Sequence, residues 1–225
     1  LLKIYGFYWT IKFIPHYLVR LYRQYFKNSY SQYGEDLIIE NLLRKKIITY
    51  IDIGSNHPQK FNNSYHFYLN GSHGLVVEPN KELINLHRQK RPFDISLNIG
   101  ISNKLSSRFF YQLYPDVAST FSKTESEKSQ NNGAVLISQN KINTNTLKNI
   151  MKKYFPTHQI DLLSVDTEGH DMKVLTGNDW EKYRPTIICV ETLHDTGVHQ
   201  YLLKQKYIRV FQNPINSIYE TISGR

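Results

Sequence analysis

Asp52, Gly54 and Glu78 are the residues whose types and spacing point first to chemistry. Asp52 and Gly54 lie in Tyr50-Ile-Asp-Ile-Gly-Ser-Asn-His-Pro58, where an apolar run ends in Asp-x-Gly and passes straight into a polar turn. Glu78 follows 26 positions after Asp52, closing a second apolar run in Gly74-Leu-Val-Val-Glu-Pro-Asn80. A glycine lets the backbone approach a ligand, and an acid at the end of the next strand accepts from ribose hydroxyls. Open α/β sheets hold nucleotide-like cofactors in this way. Two cofactors fit the pattern, S-adenosylmethionine and a dinucleotide. A dinucleotide requires G-x-G-x-x-G, so that a helix N-terminus can meet the pyrophosphate. After Gly54 this chain has Ser55, Asn56, His57 and Pro58 instead. S-adenosylmethionine carries no phosphate and presents a sulfonium and an ammonium group, which an acid such as Asp52 suits. The methyl donor is therefore the preferred cofactor.

A second centre lies in Ile160-Asp-Leu-Leu-Ser-Val-Asp-Thr-Glu-Gly-His-Asp171, an apolar run that ends in Asp166, Thr167, Glu168, His170 and Asp171. Acids and threonine at the start of a helix cap free backbone donors and suit the helix dipole, which accounts for two of the five. Asp166, Glu168 and His170 exceed what capping needs and are the candidate catalytic residues. Such a cluster can take a proton from a hydroxyl acceptor or offer oxygen and nitrogen ligands to a divalent cation. No H-x-x-x-H zinc pattern is present, and no resident metal is expected. His57, in the cofactor turn, and Glu191 and His194, after a later apolar run, share the same expected edge of the sheet.

These residues need a sheet to position them. Apolar runs predict strands near 50–54, 74–78, 95–101, 160–166 and 185–191, with helical periodicity near 60–69, 81–89, 145–154, 168–176 and 197–205. Alternating helix and strand implies an α/β fold with a mostly parallel, doubly wound sheet, whose fourth strand lies beside the first. The runs at 207–211 and 218–222, separated by Asn213-Pro214, predict a C-terminal antiparallel hairpin. Residues 103–143 break the rhythm. A strand is expected around 108–114, but 122–133 is polar and without periodicity, so this stretch reads as an irregular insertion able to serve as an acceptor-binding lid.

The chain has 225 residues and 40% hydrophobic content, the size of one α/β domain. Its net charge is +9, and Lys3, Lys12, Arg20, Arg23 and Lys27 precede the first acid, Glu35. The rest mixes both signs, which does not ask for nucleic acid. Residues 16–27 place Tyr17, Leu18, Leu21, Tyr22, Tyr25 and Phe26 at helical spacing, with Arg20, Arg23 and Lys27 opposite. Two readings of residues 1–29 stay open. The aromatic face packs onto the domain, or it attaches the chain peripherally to an anionic membrane. No apolar run spans a bilayer. The single cysteine, Cys189, lies in an apolar run and has no partner for an internal disulfide, which fits a reducing compartment. The expected location is cytoplasmic, with peripheral membrane attachment as the alternative.

Five segments in order, Ser31-Gln-Tyr-Gly-Glu-Asp36, Tyr50 to Pro58, Val77-Glu-Pro-Asn80, Ile160 to Asp171 and Arg184-Pro-Thr-Ile-Ile-Cys-Val-Glu191, resemble the FkbM family of methyltransferases over about residues 30–212. The resemblance implies a Rossmann-like class I methyltransferase fold, S-adenosylmethionine as cofactor, and methylation of hydroxyls on sugars, glycans or related metabolites. On the matching positions it implies that Asp52, Gly54 and Asn56 line the methionine end and that Glu78 holds the ribose. Gln32, Glu35, Pro79 and Asn80 complete the implied cofactor site. Residues 30–225 would form the methyltransferase domain behind the basic aromatic segment 1–29. The expected partner is a small-molecule or glycan acceptor. An NAD-dependent oxidoreductase and a non-catalytic Rossmann-like binding module are the alternatives.

Overall fold

The computed structural model of the chain describes residues 18, 22, 27–157, 159–193 and 197–222. Apart from three positions, the amphipathic helix expected at 16–27 lies outside the described residues, as does His194.

Seven strands form the main sheet: β1 (Thr49–Ile53), β2 (His73–Val77), β3 (Ile95–Leu97), β7 (Leu162–Val165), β8 (Ile187–Glu191), β9 (Tyr207–Gln212) and β10 (Asn216–Thr221). Their order is β3-β2-β1-β7-β8-β10-β9. The first five are parallel, and β10 enters antiparallel between β8 and β9. The parallel sheet, the neighbouring first and fourth strands and the closing hairpin are as expected from the sequence. Strands covered by helices on both faces are apolar on both, so β1, β2, β7 and β8 read as continuous hydrophobic runs.

Alternation along each strand divides the core. On one face Tyr50, Val76, Leu162, Ile187, Cys189 and Ile218 pack with Ile39 of α1 (Glu35–Leu43), Phe67 of α2 (Tyr65–Leu69) and Ile84 of α3 (Lys81–Lys90). On the other, Ile51, Ile53, Leu75, Val77, Leu163, Val165, Ile188 and Val190 meet α5 (Leu147–Tyr154), α6 (Asp171–Leu175) and α7 (Val198–Lys204). The sheet is thus sandwiched, and chain order reverses between β1 and β7. The ends of those two strands form the crevice where an open α/β sheet binds its ligand.

Two expectations need correction. Residues 95–101 are not one strand: β3 stays in the main sheet, while β4 (Gly100–Ile101) joins a second sheet of order β4-β6-β5 with β5 (Ser106–Tyr114) and β6 (Val135–Asn145). Asn98 separates the two, its side-chain amide donating to the carbonyls of Glu78 and Pro79. Nor is 122–133 shapeless. It contains α4 (Lys123–Asn131), capped by Ser122 Oγ accepting from the Glu125 amide and carrying a Lys128–Glu125 ion pair at 2.7 Å. Its one buried residue is Ser126, so the helix has no apolar stripe to reveal it.

Candidate functional site

The turn after β1 is fastened to β2 by backbone bonds. The amides of Gly54 and Ser55 both donate to the Val77 carbonyl, and the Asp166 amide donates to Ile53 across the switch point. Gly54 has φ +75°, and a Cβ there would collide with the Asp166 carbonyl, so only glycine lets these two strand ends close up. Asn56 follows at φ 44°, a left-handed position that asparagine tolerates better than most residues. It does here what a further glycine would do. No helix opens on this turn, because α2 starts only at Tyr65 and is five residues long. A pyrophosphate would find no helix N-terminus to meet.

Glu78 is the first residue beyond β2, so its carboxylate lies past the sheet edge. One oxygen accepts from the Asn56 amide at 3.0 Å and the other from the Asn80 amide at 2.8 Å. The carboxylate therefore clamps the turn and keeps lone pairs for further donors. Burial pushes it up to about 7, against the pull of those two amides.

Asp52 has a different setting. It sits inside β1 on the face shared with Tyr50, and its carboxylate accepts from Ser64 Oγ at 2.6 Å and Asn62 Nδ2 at 3.2 Å. Asn62 also donates to the Ser55 carbonyl. Arg91, fully buried, donates to Asn62, Ser64 and Tyr50 and forms an ion pair with Asp94 at 2.7 Å. Under the turn, His87 Nε2 lies 2.8 Å from the Asn56 carbonyl and 3.1 Å from Ser55 Oγ. A carbonyl only accepts, so this nitrogen carries the proton. Burial and Arg91 hold the ring neutral, down to about 3.

Above the turn is a cavity of about 400 Å³, within the range of small-molecule sites. Gln32, Gly54, Asn56, Glu78, Pro79, Asp166 and Glu168 line it. Asp52, Glu35, Asn80 and His170 stand behind its wall. Glu35 accepts from Tyr33, Asn213 and Asn216 and so ties α1 to the β9–β10 turn. Asn80 caps α3 by accepting from the Glu82 amide. His170 Nε2 contacts Ser102 Oγ at 3.1 Å, its ring packs against Phe121, and burial lowers it to about 4, leaving it neutral at physiological pH. Asp171 accepts from Thr167 and Gly169, bracing the loop that presents Asp166 and Glu168. His57 is engaged locally, its Nδ1 accepting from the Gln59 amide.

Sequence reasoning missed several wall residues. Residues 103–143 supply Phe110, Asp116, Val117, Ser119, Thr120 and Phe121 to the cavity, with Thr120 Oγ1 donating to the Glu168 carbonyl. No local pattern marks them, because the contact is made by a strand pair folding back from a distant part of the chain. Glu191, which the sequence places on this edge, is the last residue of β8 and lines the cavity beside Asp166 and Glu168. Burial raises all three first, and then repulsion from Asp171 for Asp166 and from Asp166 for the two glutamates: Asp166 to about 8, Glu191 to about 11, and Glu168 well above its usual range.

Residues 52–208 match the methyltransferase FkbM domain, more than half of the chain. The chain belongs to the FkbM methyltransferase family. Its sheet order with the inserted antiparallel strand is that of a class I methyltransferase, and the cofactor is S-adenosylmethionine. Among solved structures, a methyltransferase from Geobacter sulfurreducens aligns at 10% identity and TM-score 0.42, covering 93% of this chain and 89% of the other. A Staphylococcus aureus protein described as a caffeoyl-CoA O-methyltransferase aligns at 12% identity and TM-score 0.44, covering 95% and 98%. No curated protein matches. The methyltransferase cavity fits its donor chemically. Gly54 lines it without a side chain, no phosphate cradle is built among the described residues, and the Glu78 oxygens retain acceptor capacity near the 3-10 turn Asp116–Ala118, whose Val117 and Ala118 add apolar surface.

Proposed function

We propose that the methyltransferase acts on a hydroxyl oxygen of a sugar, glycan or related metabolite. The observation that carries this reading is the trio Asp166, Glu168 and Glu191 at the cavity floor, since carboxylates take up or direct the proton a hydroxyl releases. The wall around them favours a sugar. Phe61, Phe110 and Phe121 offer faces for C–H surfaces, while Gln32 and the three carboxyl groups offer partners for hydroxyl groups. S-adenosylmethionine, when bound, supplies an electrophilic methyl group on a sulfonium. The chain's part is to hold and orient both molecules, exclude water and receive the proton at Asp166 in the fraction of molecules where this carboxyl, raised to about 8, is ionised. Positioning contributes most of the acceleration. His170 is a positioning residue in this reading, keeping Phe121 and the loop in place.

The test is transfer of labelled methyl from S-adenosylmethionine to a panel of sugars and glycans. An alkali-stable methyl ether is expected, and Asp166→Asn should lower kcat/KM by about 10²–10⁴-fold with donor affinity little changed. Undiminished transfer in a combined Asp166→Asn, Glu168→Gln, Glu191→Gln variant would sink this assignment.

Glu78 is proposed to accept from the two ribose hydroxyls, supported by its free lone pairs and its place on the cavity wall. Below about 7 it carries a proton and loses acceptor capacity. Donor affinity should therefore fall as pH drops through 7, by at most about tenfold per pH unit. Glu78→Gln should flatten that slope, and an unchanged slope in the variant would remove Glu78 as its source.

A further inference from the structure

Asp166 and Glu168 follow β7, and Glu191 ends the adjacent β8. One carboxylate oxygen from each lies within 4.8 Å of the others, on the wall of the same cavity. Backbone pairing of β7 with β8 holds Val165 opposite Val190, so the two strand ends stay in register. Glu191 is only 4% exposed, yet its Oε2 accepts no hydrogen bond. A buried carboxylate oxygen without a donor is costly, and native proteins leave few such atoms. Among the described residues no lysine or arginine forms an ion pair with Asp166 or Glu191. The surroundings add negative charge: Asp171 acts on all three groups, Asp52, Glu35 and Glu78 on Asp166, and Glu125 on the two glutamates.

We propose that Asp166, Glu168 and Glu191 form a binding site for a hard divalent cation of the Mg²⁺, Mn²⁺ or Ca²⁺ class. Three carboxylate oxygens on rigid strand ends suit such ions, which take oxygen ligands and keep water or substrate in their remaining positions. Neither histidine nor cysteine contributes to the trio, which disfavours zinc. The unpartnered Glu191 oxygen gains a cation to which it gives a lone pair, and the repulsion among the three groups turns into attraction to a common centre. This departs from the expectation, drawn from the sequence, of no resident metal. It rests on the hydroxyl-methylation reading and deepens it. The cation's open positions face the cavity, where an acceptor hydroxyl bound to it becomes more acidic. Asp166 then offers one oxygen to the cation and keeps the other to receive the proton, while Glu168 and Glu191 serve as ligands alone.

The experiment is a Mn²⁺ titration of the full chain by electron paramagnetic resonance, with Mg²⁺ and Ca²⁺ as competitors. A saturable site of one Mn²⁺ per chain is expected, displaced by at least one competitor. Glu191→Gln and, separately, Glu168→Gln preserve side-chain shape and relieve repulsion, so both variants should fold. Each should weaken Mn²⁺ by at least about tenfold, the smallest loss seen when even an outer partner of a metal ligand is removed. The absence of saturable binding at submillimolar Mn²⁺, or wild-type affinity in both variants, would overturn the proposal. Parallel titration with S-adenosylmethionine separates the two readings. Mn²⁺ binding without methyl transfer to any hydroxyl leaves the cation site standing and removes the proposed acceptor class.

Discussion

Gly54→Ala is expected to abolish donor binding and to lower the melting temperature. The new methyl group would meet the backbone carbonyl of Asp166, which is held in place because the Thr167 amide of the same peptide group donates to Asp171 Oδ1. The φ of +75° adds a left-handed penalty for any L side chain, of about 1–2 kcal/mol. Relief requires the ends of β1 and β7 to separate, and that movement carries Asn56 away from Glu78. Circular dichroism melts with calorimetric donor titration would check both effects. Wild-type donor affinity in a fully stable Gly54→Ala protein would show that the strand ends do not close as described.

Arg91→Met should be the most destabilising single change away from the cavity. Arg91 and Asp94 have fully buried side chains, and breaking such a pair costs about 3–5 kcal/mol because the remaining charge stays uncompensated. Asp94 would keep the Tyr50 hydroxyl and the Gly74 amide as donors but lose its counter-ion. The damage should extend to the turn, since Arg91 also donates to Asn62 and Ser64, the two residues holding Asp52. Removing both charges in Arg91→Met, Asp94→Leu should recover part of the loss, because well-packed apolar groups replace buried pairs at little cost. Denaturant unfolding of the three proteins measures this, and a single variant as stable as wild type would contradict the network's role.

The legible parts of the fold were those where burial writes a pattern. β1, β2, β7 and β8 are covered on both faces, so their positions and parallel order could be read from apolar runs. The insertion could not be read in the same way. In β6, Gln139, Asn140, Lys141 and Asn143 leave little alternation, and its pairing with β5 is a long-range contact that no local window contains. At the site, position relative to a strand end separates residues that look alike in sequence. Glu78 and Asp166 come just after their strands and reach the cavity. Asp52 sits one residue before the end of β1 and is turned into the helical layer, where Ser64 and Asn62 hold it. His170 and Asp171 resemble Glu168 in type and spacing, but loop bracing and helix entry occupy them. Arg91, Asp94 and His87, the supports under the turn, lie on a helix face and in the loop after it and carry no signature of their role.

The central claim is that the turn Gly54–Asn56 and the Glu78 carboxylate hold S-adenosylmethionine in the cavity above the switch point. Isothermal titration of the full chain with S-adenosylmethionine, and in parallel with NAD, tests it most directly. The account predicts one saturable site for S-adenosylmethionine, no binding of NAD, and loss of donor binding in Glu78→Ala with the melting curve still cooperative. Binding of NAD in place of S-adenosylmethionine, or donor affinity untouched by Glu78→Ala, would contradict it.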